Sequence, residues 1–220
     1  MTPSSVRAQV EEVISRLISS SLSVRQFPPS VSQGPGGATT IGSRQSSAIA
    51  LRDIAYEDVY RELDSNDAYD AKLVDGGLLI FQYRFQGNGA LLQHRLGYFP
   101  SPILPTIDDS PGLYEREDLY ADVMARRLVR FPIRFDYAPA QCIDVLHPAS
   151  HVTFGQYENC RVPVSGPLSP AVFARFIIRN FYHRAFRKHQ NTFERRHSYV
   201  ECGDTISPTE RRILHMVCGR

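Results

Sequence analysis

The stretch Leu78-Leu79-Ile80-Phe81-Gln82-Tyr83-Arg84-Phe85, followed by Gln86-Gly87-Asn88-Gly89 and then Leu91-Leu92-Gln93-His94-Arg95-Leu96-Gly97-Tyr98-Phe99, reads as two strands and a turn. The first run is almost continuously apolar or aromatic until Gln82 and Arg84 break it, and Asn-Gly between two such runs is a strong hairpin signal. Pro100, Pro102 and Pro105 lack the N–H that further pairing needs. An antiparallel pair is therefore the seed of the fold.

Residues 132–137, 142–146 and 151–157 read as further strands. Upstream, Val6, Val10, Val13, Ile14, Leu17, Ile18 and Leu22 recur at helical spacing, with Ser4 and Ser5 as caps. Helices are also expected over 49–63, 115–128, 170–189 and 207–217. Ser169-Pro170 is a cap and first turn, and Ser207-Pro208-Thr209-Glu210 a capping box. Gly34, Pro35, Gly36, Gly37 and Gly42 make residues 32–45 read as a mobile loop. The expectation is an α+β fold: an antiparallel sheet packed by amphipathic helices, with an N-terminal helix and flexible loop over 1–46 and one domain over 47–220.

With 220 residues, 42% of them apolar and 22% charged, the chain can bury one sizeable core. No run approaches the ~18 apolar residues of a spanning helix. Arg7, Glu11 and Glu12 interrupt what a secretory signal would need, so a cytoplasmic protein is expected. Cys142, Cys160, Cys202 and Cys218 form no CxxC pair, which points to buried, reduced thiols rather than zinc or disulfides. Phosphate-loop, dinucleotide, HExxH and GxSxG signatures are absent. No cofactor is indicated. A restriction-nuclease pattern fails too, since Gln82 and Arg84 stand where a carboxylate and a lysine would follow Asp75.

Several longer runs carry a family resemblance. His94-Arg95-Leu96-Gly97-Tyr98-Phe99-Pro100-Ser101-Pro102, Pro132-Ile133-Arg134-Phe135-Asp136-Tyr137 and His147-Pro148-Ala149-Ser150-His151 are three of them. Phe154-Gly155-Gln156-Tyr157-Glu158-Asn159-Cys160-Arg161-Val162-Pro163 and Phe176-Ile177-Ile178-Arg179-Asn180-Phe181-Tyr182 are the others. Together, from about residue 63 onward, the chain resembles an uncharacterised bacterial family, domain of unknown function 2290. The resemblance implies a bacterial origin and no activity or site residues.

The net charge of +2 is unevenly spread. Residues 171–220 hold ten Lys and Arg against four acids, while 53–75 hold eight acids against Arg61 and Lys72. Arg175, Arg179, His183 and Arg187 fall at four-residue intervals, with Lys188 beside them, beside the apolar line Phe173, Ile177, Phe181 and Ala185. That basic stripe is either a solvated face paired with the acidic segment or a nucleic-acid surface. His94, His147 and His151 are candidate acid/base groups and Arg95, Arg134 and Arg161 candidate phosphate ligands, against the plainer reading of exposed strand residues and a hydrogen-bonded turn. A metal at the two loop histidines would need further ligands, for which Asp136, Asp144 and Cys160 are the nearest in sequence. Three functions follow, in order: a nucleic-acid-associated binding module of a multi-protein system, a nuclease or related phosphoester hydrolase using a histidine/arginine cleft, and a non-enzymatic assembly subunit. Nucleic acid and other proteins are the candidate partners.

Overall fold

The computed structural model describes residues 1–42, 54–103, 108, 111, 131–157, 159–194 and 203–218. Nine strands among them form one sheet. They are β1 (Ser23–Gln26), β2 (Val31–Gln33), β3 (Thr39–Gly42), β4 (Ala71–Leu73), β5 (Leu78–Phe85), β6 (Leu91–Phe99), β7 (Ile133–Tyr137), β8 (Ser150–Phe154) and β9 (Val162–Pro163). The hairpin read from the sequence is its centre: β5 and β6 pair antiparallel from Leu78↔Phe99 to Phe85↔Leu91, with an irregularity between Arg84 and Phe85. Asn88 Oδ1 accepts the Ala90 N–H at 2.9 Å and so closes the turn. The order runs β1-β4-β5-β6-β7-β8-β9, every pairing antiparallel.

The other edge of β5 is shared by two strands lying end to end. β4 pairs with Leu78 and Leu79, and β3 with Gln82 to Phe85. Neither reaches the Phe81 N–H, which would be left without a partner inside the sheet. Asp70 Oδ2 accepts it at 2.6 Å. Where β3 crosses this junction, a Cβ on Gly42 (φ +104) would lie 1.5 Å from the Phe81 carbonyl oxygen, so only glycine fits.

Alternation assigns the two faces. Leu79, Phe81, Tyr83 and Phe85 of β5, with Leu96, Tyr98, Phe135 and Val152, meet helices α1 (Pro3–Ser19) and α3 (Pro170–Phe181) in the main core. On the second face, Leu78, Ile80 and Phe99 are covered by Val59, Tyr60 and Leu63 of α2 (Tyr56–Ser65). Beyond Ile80 that face turns polar. Thr2, rather than Ser4, caps α1, with Ser5 completing a reciprocal box.

Several elements differ from the sequence expectation. Residues 31–42 hold the β2–β3 hairpin, because the glycines that suggested a loop form its tight turn (Gly36 φ +67, Gly37 φ +76) while Thr39 to Gly42 find β5 as a partner. The long C-terminal helix bends at Tyr182 (φ −126, ψ 47) into α4 (His183–Lys188) and α5 (Gln190–Phe193). The capping box of Ser207 and Glu210 forms, but only a 3₁₀ turn, Glu210–Arg212, follows. There Glu210 Oε1 also accepts the Val145 N–H, and Met216 pairs with Val164, so the chain is drawn out along the sheet. Residues 142–146 make a turn closed by Ile143 and His147 rather than a strand. Cys142 is exposed and Cys160 and Cys218 are half-buried rather than buried thiols, Cys218 packing against the edge of the main core, while Cys202 lies outside the described residues. The helix expected over 115–128, and residues 49–53 of another, lie outside the described residues.

Two buried carboxylates hold the connections around β5. Burial pushes the Asp70 carboxyl up to about 7, the Phe81 N–H opposing. Asp75 is likewise raised by burial, although it accepts the Gly77 N–H and the Tyr182 hydroxyl, the latter at 2.9 Å to both its oxygens. Tyr182 also meets the Tyr98 hydroxyl at 2.9 Å. A Cβ at Gly77 would stand 2.8 Å from the Tyr182 hydroxyl, so this contact needs glycine there and holds the bend at the end of α3.

Two outcomes follow. From about pH 4 to pH 7 the unfolded chain ionises Asp70 while the folded chain keeps it protonated, so this group's contribution to stability declines across that window and is level above it. In urea titrations, Asp70→Asn should gain stability relative to wild type from pH 4 to 7; a pH-independent difference would contradict this account. Tyr182→Phe should cost about 2 kcal/mol at neutral pH, the cost of leaving a buried acceptor short of a donor; an unchanged urea midpoint would show that the Asp75 contact holds nothing.

Candidate functional site

On the second face the polar residues of neighbouring strands line up in rows. One row is Gln82, Arg95, Asp136 and His151, cross-strand partners in turn. Beside it runs Gly97, Arg134 and Thr153, and Arg161, one residue before β9, extends that row because Val162 stands opposite Val152. On the other side lie Arg84 and Gln93, with Thr40 opposite Arg84. The register thus brings Arg95, Arg134 and Arg161 to one surface with Asp136, the one carboxylate in these rows among the described residues.

The charges there are unevenly answered. Arg95 Nε is 3.9 Å from Asp136 Oδ1, their side chains 33% and 16% exposed. Among the described residues Arg134 has no carboxylate within 4 Å, and its buried Nε has no acceptor. Burial, then the nearby charges of Arg95 and Arg161, disfavours its charged form, with Asp136 opposing. A guanidinium does not lose its proton inside proteins, so the strain appears as an unmet demand for an anion.

His147 and His151 flank this cluster with ring centroids 4.9 Å apart. His147 Nδ1–H donates to the Gln141 carbonyl at 2.6 Å and His151 Nδ1–H to the Pro148 carbonyl at 2.9 Å. Each ring therefore keeps Nε2 as its basic nitrogen when neutral. His151 Nε2 lies 3.9 Å from Asp136 Oδ2. Burial lowers the His151 pKa in spite of Asp136, with His147 and Arg161 lowering it further, so the contact joins a neutral imidazole to a carboxylate and is no salt bridge.

His94 stands apart. It faces the helices, opposite Tyr83 on β5 and Tyr137 on β7, and is 1% exposed. Its Nε2 accepts the Leu168 N–H at 3.0 Å while the Tyr83 hydroxyl donates to the Leu168 carbonyl at 2.8 Å. The pair clamps both backbone groups of the residue that leads into α3. The proton then sits on Nδ1, which has no acceptor. Burial lowers the His94 pKa to about 3, so the ring stays neutral.

The basic stripe lies on the far side of the sheet from the arginine cluster. Arg175, Arg179, His183, Arg187 and Lys188 are all exposed, the first two on α3 and the last three beyond the bend. Among the described residues Arg175, Arg179 and Arg187 make no ion pair. The acidic segment is answered elsewhere: Asp58 by Arg61 at 2.7 Å, Asp64 by Lys72 at 2.8 Å and Asp67 by Arg25 at 2.8 Å.

Sequence reasoning weighed Asp136 only as a metal ligand and Gln82 only as a mismatch to a nuclease pattern, and it passed over Thr40 and Gln93, which with Gln82 edge a groove of about 250 Å³ beneath the β2–β3 hairpin. The alternation of polar residues after Ile80 carried that signal, but the hairpin that walls the groove did not announce itself. No three His, Cys, Asp or Glu side chains converge as a ligand set among the described residues. Asp144 instead accepts from the Ser207 hydroxyl. No described helix is long and apolar enough to cross a membrane.

Residues 22–218 match the model of a family described as Uncharacterized conserved protein (DUF2290). No curated protein and no solved structure matches the chain.

The two kinds of histidine should separate on mutation. His94→Ala leaves a cavity and the Leu168 N–H unsatisfied, and should cost about 2–4 kcal/mol in chemical denaturation. His147→Ala, in a half-exposed turn, should stay within about 0.5 kcal/mol of wild type. Equal losses for both would contradict the division between clamp and site.

Proposed function

The chain belongs to the uncharacterised conserved family DUF2290, and from its surface chemistry we propose that it is a nucleic-acid-associated binding module acting alongside protein partners. The observation that carries this reading is the set Arg175, Arg179 and Arg187: three exposed guanidiniums on the outer side of the C-terminal helices without a carboxylate partner in the described residues. Arg175 and Arg179, four residues apart on α3, start about 5–6 Å from each other, close enough to engage neighbouring phosphates of one strand, and Arg187 adds a third charge on α4 beyond the bend. An internal acid-to-base contact is the competing explanation for this charge, and three acids of 53–75, Asp58, Asp64 and Asp67, are answered by Arg61, Lys72 and Arg25, none of them on the C-terminal helices.

A second reading rests on His147 and His151. Two imidazoles with Nε2 left basic, beside Arg134 and Arg161, are the groups that a nuclease or related phosphoester hydrolase needs for proton transfer and phosphate stabilisation. His94, held by Leu168, takes no part in this arrangement.

Gel-shift titrations against single- and double-stranded DNA and RNA, with cleavage followed in the same samples, test both readings. Three phosphate contacts give log K against log[salt] a slope of roughly −2 to −3. Changing Arg175, Arg179 and Arg187 together to Gln should flatten that slope and weaken binding to all sequences alike, with folding unaltered because exposed charges add little stability. An unchanged slope in the folded triple variant rejects the stripe. Any cleavage should vanish in His147→Ala.

A further inference from the structure

We propose that the second face of the sheet is a nucleotide site, holding a 5′-phosphate among Arg95, Arg134 and Arg161 and its nucleoside in the adjoining groove against Gln82, Gln93 and Thr40. It lies on the opposite side of the sheet from the arginine stripe and does not depend on that stripe's role.

The phosphate half follows from the cluster's charge. Among the described residues Arg134 has no carboxylate within 4 Å and its buried Nε has no acceptor, while Asp136 already faces Arg95 at 3.9 Å. Arg134 and Arg161 lie in one row with Thr153 between them, so their strands are about 10 Å apart, a span that two long guanidinium side chains can bridge to grip one compact anion. A phosphate dianion supplies the missing charge, and its oxygens match the donor forks of arginine.

The nucleoside half follows from the groove. Its volume of about 250 Å³ lies just below the ~300 Å³ at which drug-sized pockets begin, which suits one nucleoside rather than a polymer. Gln93 presents an amide with donors and an acceptor for a base edge, Gln33 its NH2 donors, its Oε1 already accepting from Thr39, and Thr40 a hydroxyl for a sugar, with Gln82 on the groove wall. Arg84 adds a planar cation on which a base can stack. No acid lines it among the described residues. Arg95 borders both halves, and the groove's Gln82–Arg95 row lies about 7 Å from the Arg134 row, close to the separation of a base from its 5′-phosphate.

The same chemistry occurs on a free mononucleotide and on the 5′-phosphorylated end of a nucleic-acid chain. Calorimetric titration of the full chain with AMP, CMP, GMP and UMP, with the matching nucleosides and with inorganic phosphate tests the site. At least one monophosphate should bind more tightly than its nucleoside and than phosphate alone. Arg161→Gln should weaken the monophosphate by about tenfold or more and leave the nucleoside unchanged, Arg95→Gln should weaken the monophosphate by at least as much, and Gln93→Ala should weaken the nucleotide and leave phosphate unchanged. Circular dichroism checks that the variants fold, and Arg161→Lys, which keeps the charge without the fork, is the fallback for Arg161→Gln. Short oligonucleotides with 5′-phosphate or 5′-hydroxyl ends, titrated in the Arg175, Arg179 and Arg187 to Gln background, assign the source: preference for the phosphorylated end supports a chain terminus, and binding of mononucleotides alone supports a free ligand. Failure of all four monophosphates and the phosphorylated oligonucleotide to bind at millimolar concentration, or unchanged affinity in folded Arg95→Gln and Arg161→Gln, overturns the proposal.

Discussion

The structure turns on a change of environment halfway along β5. Up to Phe81 the strand is apolar toward both faces, between the α1/α3 layer on one side and α2 on the other. From Gln82 onward it is apolar on one face only. Among the described residues α2 covers Leu78 and Ile80 on the second face, and beyond them the strand carries polar side chains there. Because a strand alternates strictly, that change places Gln82 and Arg84, and through the register Arg95, Gln93 and Asp136, on a shared polar surface. A slip of one residue would send these side chains into the core, so the burial of Tyr83, Leu96 and Phe135 also enforces the polar arrangement.

Polar groups inside the helix layer do a different job. Tyr83 and His94 together satisfy the N–H and C=O of Leu168, and Tyr182 ties the end of α3 to Asp75 and Tyr98. Both nodes attach the C-terminal helices to the central hairpin by directional bonds, which apolar packing cannot supply. They also explain why α3 starts and bends where it does. Three protonation shifts follow one cause: burial disfavours an ionised carboxylate or imidazolium, so Asp70 and Asp75 shift up and His94 shifts down.

The arginines divide into two populations by burial. Those of the C-terminal helices stand in water, where their charges are screened and their mutual repulsion is small. Arg134 and Arg161 are half-buried around Asp136, where a guanidinium short of a counter-ion is costly. The first population is suited to long, diffuse polyanions. The second is suited to a small, discrete one.

The central hairpin, the apolar faces of the first and the long C-terminal helix, and the α+β class were legible in the sequence because each rests on local periodicity and turn chemistry. Asn88-Gly89 and Ser169-Pro170 act over a few residues and need no distant partner. Strands β1, β2, β3 and β4 were not legible, being three or four residues long and mostly without alternation; pairing to β5 and to one another decides their conformation. Ser207 and Glu210 illustrate the limit: the local box forms, and long-range contacts to Val145 and along Val164 still draw the following chain into an extended form. For the site, the sequence nominated His94, His147 and His151 as equals and the arginines one by one. Only the register could put Arg95, Arg134 and Arg161 around Asp136 beside His147 and His151, and turn His94 to the other face, because which face a strand residue occupies depends on partners dozens of residues away.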